Sequence, residues 1–232
     1  MRCRSKYLFS IVVVSLLLFA ACKKDHSNNS VNNGGNGSTA DCKACAYVPT
    51  CVNSSYTYQD SSAAGTAVLS SFTYTAISDT TIDGSVFQKA SSSLGGSSSY
   101  INCNNGVTTT VAYNLVSVSG QSHLEEAKLI PLKANGAVGT TWEDSVYNSS
   151  AGIYDYYNYT IVATGSSRVV LGSNFTNVID VHSETSINVP YYYVGGESEY
   201  YYAKGVGLIE SILADPYGNV YYHQSLKTFN IP

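Results

Sequence analysis

Val206-Gly-Leu-Ile-Glu-Ser-Ile-Leu-Ala-Asp-Pro-Tyr-Gly-Asn-Val-Tyr-Tyr-His-Gln-Ser-Leu226 is two strand-like runs around a five-residue loop. Asp215-Pro216-Tyr217-Gly218-Asn219 places Pro and Gly where a loop built on a type I turn takes them. Pairing Ala214 with Val220 sets Ile212 opposite Tyr222 and Leu208 opposite Leu226, all on one face. Two runs that bury the same face under one register support each other, because a one-residue slip would turn every apolar side chain outward. The stretch therefore reads as an antiparallel hairpin with one wet and one buried side.

The chain upstream repeats that texture. From Thr50 onward it is Ser, Thr, Tyr, Val and Asn in short runs punctuated by glycine, the residues that suit a pleated, half-buried surface. Strands are expected at Ser55–Asp60, Val68–Ile77, Ser85–Ala90, Ser98–Cys103, Val107–Val118, Trp142–Tyr147, Tyr154–Thr164, Arg168–Gly172, Phe175–Val189, Tyr191–Ala203 and Val206–Ala214. Asp83-Gly84 and Asn104-Asn105-Gly106 are hairpin signals, since Asn, Asp and Gly accept the positive φ of tight turns. Gly195-Gly196 reads as a further hairpin tip. At most one short helix is expected, over His123–Lys133, where Pro131 and Leu129-Ile130 read equally well as extended chain. Strands in hairpin order predict an all-β domain: a curved antiparallel half-barrel sheet, or else a β-sandwich.

The N-terminus explains where such a body is carried. Arg2, Arg4 and Lys6 precede an uncharged run from Tyr7 to Ala21. A basic start, a short apolar middle and a small-residue exit form a secretory signal. The run falls short of the ~20 residues needed to span a bilayer as a helix. Phe19-Ala20-Ala21-Cys22 resembles the lipobox of bacterial lipoproteins, which implies cleavage after residue 21 and acylation of Cys22. Cys22-Lys23-Lys24-Asp25 and the Ser/Asn/Gly tract after it resemble Bacteroidetes-type lipoproteins, in which Lys and acidic residues here direct export to the outer face of the outer membrane. The single acid, Asp25, is compatible with either leaflet.

The chain divides accordingly into a signal peptide (1–21), a lipidated flexible linker (22–40) and the β domain (41–232). The linker carries too little apolar surface to offset its ordering entropy; its reach is roughly 25 Å. Losing three basic residues with the signal takes the formal charge from −4 to −7. That balance excludes nucleic acid as a partner, which requires clustered Lys and Arg. The membrane, through the lipid, is the partner the sequence implies.

Cys42, Cys45, Cys51 and Cys103 remain after Cys3 leaves and Cys22 is acylated. An even number in an oxidising compartment predicts two disulfides, with three pairings open. One of them joins Cys42 to Cys45 and sends Cys51 to Cys103, closing about 50 residues for ~4 kcal/mol. A four-cysteine zinc site lacks the second Cys-x2-Cys knuckle. A Cys-x2-Cys redox pair lacks the βαβ setting. No metal and no cofactor is expected.

Chemistry is sparse. There is no Gly-x-Ser-x-Gly elbow, and the histidines are His26, His123, His182 and His223. His182 lies between Asp180 and Glu184 on one strand face, a trio able to bind a cation or tune a base, although such a face more often simply meets water. Glu197 and Glu199 are placed to share a face. No catalytic residues are assigned, and the chain is read as non-enzymatic.

The anomaly is 21 tyrosines. Tyr offers a rigid apolar plate and a hydroxyl at small entropic cost. Tyr157, Tyr192, Tyr201 and Tyr222, one from each main cluster, are the candidate binding residues for an apolar or glycan ligand on a concave sheet. The alternative is a structural or adhesive surface protein that meets its partner through Tyr, Ser and Thr strand faces.

Tyr201-Tyr202-Ala203-Lys204-Gly205-Val206-Gly207-Leu208-Ile209, with Gly-Thr-Thr-Trp at 139–142 and Asn-Val-Ile at 177–179, resembles uncharacterised Bacteroidetes-type lipoproteins. The resemblance implies an outer-membrane lipoprotein with a curved sheet likened to the lipoprotein-carrier (LolA-like) half-barrel. It implies no reaction. Gly205 and Gly207 fit a sharply curved or closely approached sheet.

Overall fold

A type I′ two-residue turn between strands demands positive φ at both positions, and three places among the described residues meet that demand. Asp83-Gly84, Asn105-Gly106 and Leu171-Gly172 have φ of 49° and 76°, 49° and 76°, and 48° and 83°. The first two were legible from composition; Leu171 was not, because a leucine is rarely held there. These turns organise a computed structural model that describes residues 45–61, 68–95, 98–118, 121–149, 152–187 and 193–232.

Twelve strands follow in order: β1 Ser55–Ser61, β2 Val68–Ile82, β3 Ser85–Ser92, β4 Ser99–Asn104, β5 Val107–Val118 and β6 Gln121–Lys133. Then come β7 Thr141–Asn148, β8 Ile153–Val170, β9 Ser173–Ile187, β10 Tyr193–Ala203, β11 Gly207–Ala214 and β12 Val220–Asn230. All pairings are antiparallel. Five strands run in the order β2-β3-β4-β5-β6, and seven as β1-β12-β11-β10-β9-β8-β7. The all-β antiparallel expectation holds, and the curvature carries on to a nearly closed barrel.

Two junctions join the arcs. At the first, Asn53 N donates to Ala76 O and Ala76 N to Ser54 O, both at 2.8 Å. At the second, between β6 and β7, side chains replace the ladder: Trp142 Nε1 donates to Ile130 O (2.6 Å) and Ile130 N to Asp144 Oδ2 (2.5 Å).

The interior is filled. Barrel diameter grows with strand number, and eight strands already leave room for side chains. Twelve need larger plugs, and tyrosine supplies them. Tyr56, Tyr58, Tyr74, Tyr157, Tyr159 and Tyr202 are all buried, with Phe72, Trp142, Leu132, Ile161, Ile179, Val181, Leu208 and Leu226 in the same core. Phe72 and Tyr74 meet edge to face at 5.4 Å, and Trp142 stacks on Tyr159 at 5.2 Å. Gly207 exists for this packing. Its φ is 115°, and a Cβ there would lie 3.1 Å from the Tyr56 hydroxyl.

Three sequence expectations change. In the last hairpin Ala214 does pair with Val220, but Tyr221 is an extra residue on β12. Leu213, not Ile212, therefore faces Tyr222, and Ile212 faces His223. Leu208 and Leu226 both reach the core without standing opposite each other. The segments Tyr154–Thr164 and Arg168–Gly172 are one strand, β8, bent by three register shifts against β9. Residues 123–133 take the extended reading that the sequence left open beside a short helix, with Pro131 placed where β6 carries an extra residue against Thr108–Thr110 and no ladder donor is required. Gly195-Gly196 is no tip: it lies inside β10 at a register shift.

The cysteines resolve as well. Cys45 is bonded to Cys103 across 58 positions, with Cα atoms 6.0 Å apart. A local Cys42–Cys45 bridge with Cys51 on Cys103 is therefore not the pairing formed. Cys51 is itself disulfide-bonded, to a partner outside the described residues. The signal segment, Cys22, the linker, His26 and Cys42 also lie outside them.

Candidate functional site

Along β9 the side chains of Asp180, His182 and Glu184 alternate with buried Ile179, Val181 and Ser183, which turns them to the barrel's outer face. The register then brings partners that sequence spacing could not show. Asp180 stands opposite Tyr201, His182 opposite Glu199, and Tyr201 opposite Glu210. His182 Nδ1 is 2.7 Å from Glu199 Oε1, while Nε2 lies 3.8 Å from Glu184. His223 Nε2 is 2.6 Å from Glu210 Oε1, and the other Glu210 oxygen accepts from Arg168 Nε. The Arg168 guanidinium lies 3.3 Å over the Tyr201 ring. Five strands thus contribute to one polar cluster.

Its proton affinities are spread apart. Burial, with the neighbouring Glu199 charge and a hydrogen bond between the two carboxyls, raises Asp180 from 3.8 to about 6; Arg168 and His182 oppose that only in part. Burial and then Asp180 raise Tyr201 to about 12. Glu210 goes the other way: burial pushes it up, but hydrogen bonds from His223 and Arg168 outweigh burial and hold it below its ordinary value. Among the described residues, no group of three or more His, Cys, Asp and Glu side chains is arranged to hold a metal ion.

A pH dependence follows. Asp180 binds its proton more tightly folded than unfolded, so its contribution to stability is complete below pH 3.8 and is lost as pH rises through 6. Asp180→Asn is expected to stabilise the protein at pH 7.5 by about 1 kcal/mol, a figure reduced because the group is half exposed. At pH 4 the variant and the parent should melt together. Melting curves at the two pH values check this; an equal shift at both would show that charge is not the cause.

The four candidate tyrosines do not share an open face. Tyr157 is 6% exposed and belongs to the core. Tyr201 lies on the outer face beneath Arg168. Tyr222, half-buried, donates to the buried Asp60 carboxylate at 2.7 Å, which also accepts from Ser70 Oγ at 2.8 Å. Tyr192 lies outside the described residues. A cavity of about 310 Å³ opens beside the Cys45–Cys103 bridge, lined by Tyr47, Leu132, Asn135 and Lys204 among others.

Of the residues singled out in sequence, Asp180 and His182 enter the cluster and Glu184 stands at its edge. Glu199, noted only for its neighbour Glu197, supplies the closest contact to His182. Arg168, Glu210 and His223 were missed. Registering β9 on β10 would have found Glu199; no local signal reaches the other three.

No family model and no curated protein matches this chain. Among solved structures it is similar to a provisionally named exported protein with a YmcC-like fold from Bacteroides fragilis, at 12% identity and a TM-score of 0.47. It is similar also to a provisionally named lipoprotein from Parabacteroides distasonis, at 13% identity and the same TM-score. Each likeness covers 76% of this chain and 94% of the other.

Proposed function

We propose that this is a non-enzymatic lipoprotein of the outer membrane, acylated at Cys22, whose β-barrel body acts through its outer surface. The observation that carries the reading is the filled interior: Tyr58 and Tyr202 are 0% exposed, and the core rings occupy the space a concave binding face would need. A structural or adhesive role fits that packing better than an apolar ligand held inside. Several buried acyl chains, at ~0.8 kcal/mol per CH2, would make the attachment effectively permanent. The linker holds the body off the headgroups.

The test is made on the full chain in a Bacteroidetes host. A radiolabelled palmitate precursor should enter the protein, and Cys22→Ala should abolish both the label and sedimentation with the outer membrane. Native mass spectrometry of the extracted protein should show the lipidated chain alone. An unlabelled parent protein would refute the anchor. A stoichiometric apolar molecule retained by the barrel would refute the outward-acting body.

A further inference from the structure

On the outer face of the β7–β8 hairpin three tyrosines form a ladder. Tyr147 and Tyr154 are directly paired across the strands, with ring centroids 5.0 Å apart, and Tyr156 continues the row 6.2 Å from Tyr154. Tyr147 and Tyr154 are each 45% exposed. Successive rings are inclined to each other by 51° and 39°, so the ladder is a stepped surface and not a flat slab.

The register places a second row beside it. Exposed Ser145 and buried Ser186 flank Tyr156, and one step along the strands Glu143, Asn158 and Glu184 stand side by side across β7, β8 and β9. Aromatic plates next to a row of hydroxyl, amide and carboxylate groups provide apolar faces for C–H surfaces and acceptors for hydroxyls. Outward positions of β7 and of Tyr154–Thr160 include no Lys or Arg: they are Thr141, Glu143, Ser145, Tyr147, Tyr154, Tyr156, Asn158 and Thr160. Together with Glu184 this gives a locally negative surface. An acidic partner is repelled there, and a purely apolar one would strand the carboxylates without hydrogen-bond donors.

From this juxtaposition we infer that the β7–β9 outer face is a binding site for neutral oligosaccharides, with Tyr147, Tyr154 and Tyr156 stacking on sugar rings and Glu143, Asn158 and Glu184 accepting from, or in the case of Asn158 also donating to, their hydroxyls. The inference rests on the outward-acting body proposed above and names its ligand class.

The test is an array of neutral gluco-, manno-, xylo- and galacto-oligosaccharides with uronic-acid oligomers as controls, probed with the detergent-solubilised full-length lipoprotein. Binding is expected to at least one neutral series and not to the acidic oligomers. Tyr154→Ala should weaken it about tenfold, and Tyr147→Ala/Tyr154→Ala further, as truncation of a central aromatic anchor does. Tyr154→Phe should retain it, and Tyr217→Ala, at the exposed β11–β12 loop, should leave it unchanged. Absence of neutral-glycan binding, preference for the acidic oligomers, or undiminished binding by the double variant would overturn the inference. A blank array beside a palmitate-labelled, ligand-free barrel would reject this site alone and leave the anchored, outward-acting body standing.

Discussion

Tyr58→Ala is expected to lower the unfolding free energy by about 4 kcal/mol, in the range found when a large buried aromatic is truncated. Tyr58 is 0% exposed and has ring neighbours on two strands: Tyr56 at 6.3 Å, Phe72 at 5.9 Å and Tyr74 at 6.4 Å. Its hydroxyl crosses to β11 and donates to Leu208 O at 3.0 Å, tying the first strand to the eleventh. Truncation would open a void among rings held by strands that pair on both sides and cannot collapse into it. Leu208 O would also lose its partner. Tyr58→Phe separates the two effects, since it keeps the ring and removes only the hydrogen bond, for about 1 kcal/mol. Urea unfolding at constant slope measures both. A Tyr58→Ala cost near that of Tyr58→Phe would mean that the interior is loosely packed, and the case for a surface-acting body would weaken with it.

The second large effect concerns the Cys45–Cys103 bridge. Cys45→Ser/Cys103→Ser should cost about 4 kcal/mol on the chain-entropy estimate for a loop of this length. The bridge ties the segment before β1 to the end of β4, on the opposite arc of the barrel. That segment is also held by Gly205 N donating to Ala46 O at 2.5 Å, and the Tyr56 hydroxyl donates to Pro49 O at 3.2 Å. These contacts survive the substitution, so the loss is expected in the unfolded ensemble more than in native packing. The pair variant is preferable to a reductant, which would also open the Cys51 bridge. A loss below about 1 kcal/mol would show that the N-terminal segment is held by packing alone.

Much of the fold was legible because the decisive features are local. Asp83-Gly84 and Asn105-Gly106 fix hairpins through backbone sterics, and the alternation of Asp180, His182 and Glu184 with Ile179, Val181 and Ser183 fixes which way β9 faces. Bulges escaped. Tyr221 shifts the last hairpin by one residue, its side chain sitting outside while Tyr222 reaches Asp60, on a strand 162 residues away in the chain. The shifts in β8 hid for a similar reason: Gly165 and the serines beside it look like a turn, yet pairing with β9 carries the strand through them.

The sequence alone determined the antiparallel all-β class and most strand positions, and it alone carries the proposed export signal and the proposed acylation at Cys22, because each depends on neighbours in the chain. Tertiary structure alone decided that Cys45 meets Cys103, that Tyr157 plugs the barrel while Tyr147 and Tyr154 face outward, and that Arg168, Glu210 and His223 join His182. The bridge depends on how the two arcs of strands meet, and the polar cluster on the register of the neighbouring strands β8 to β12; neither leaves a trace in the spacing along any one strand.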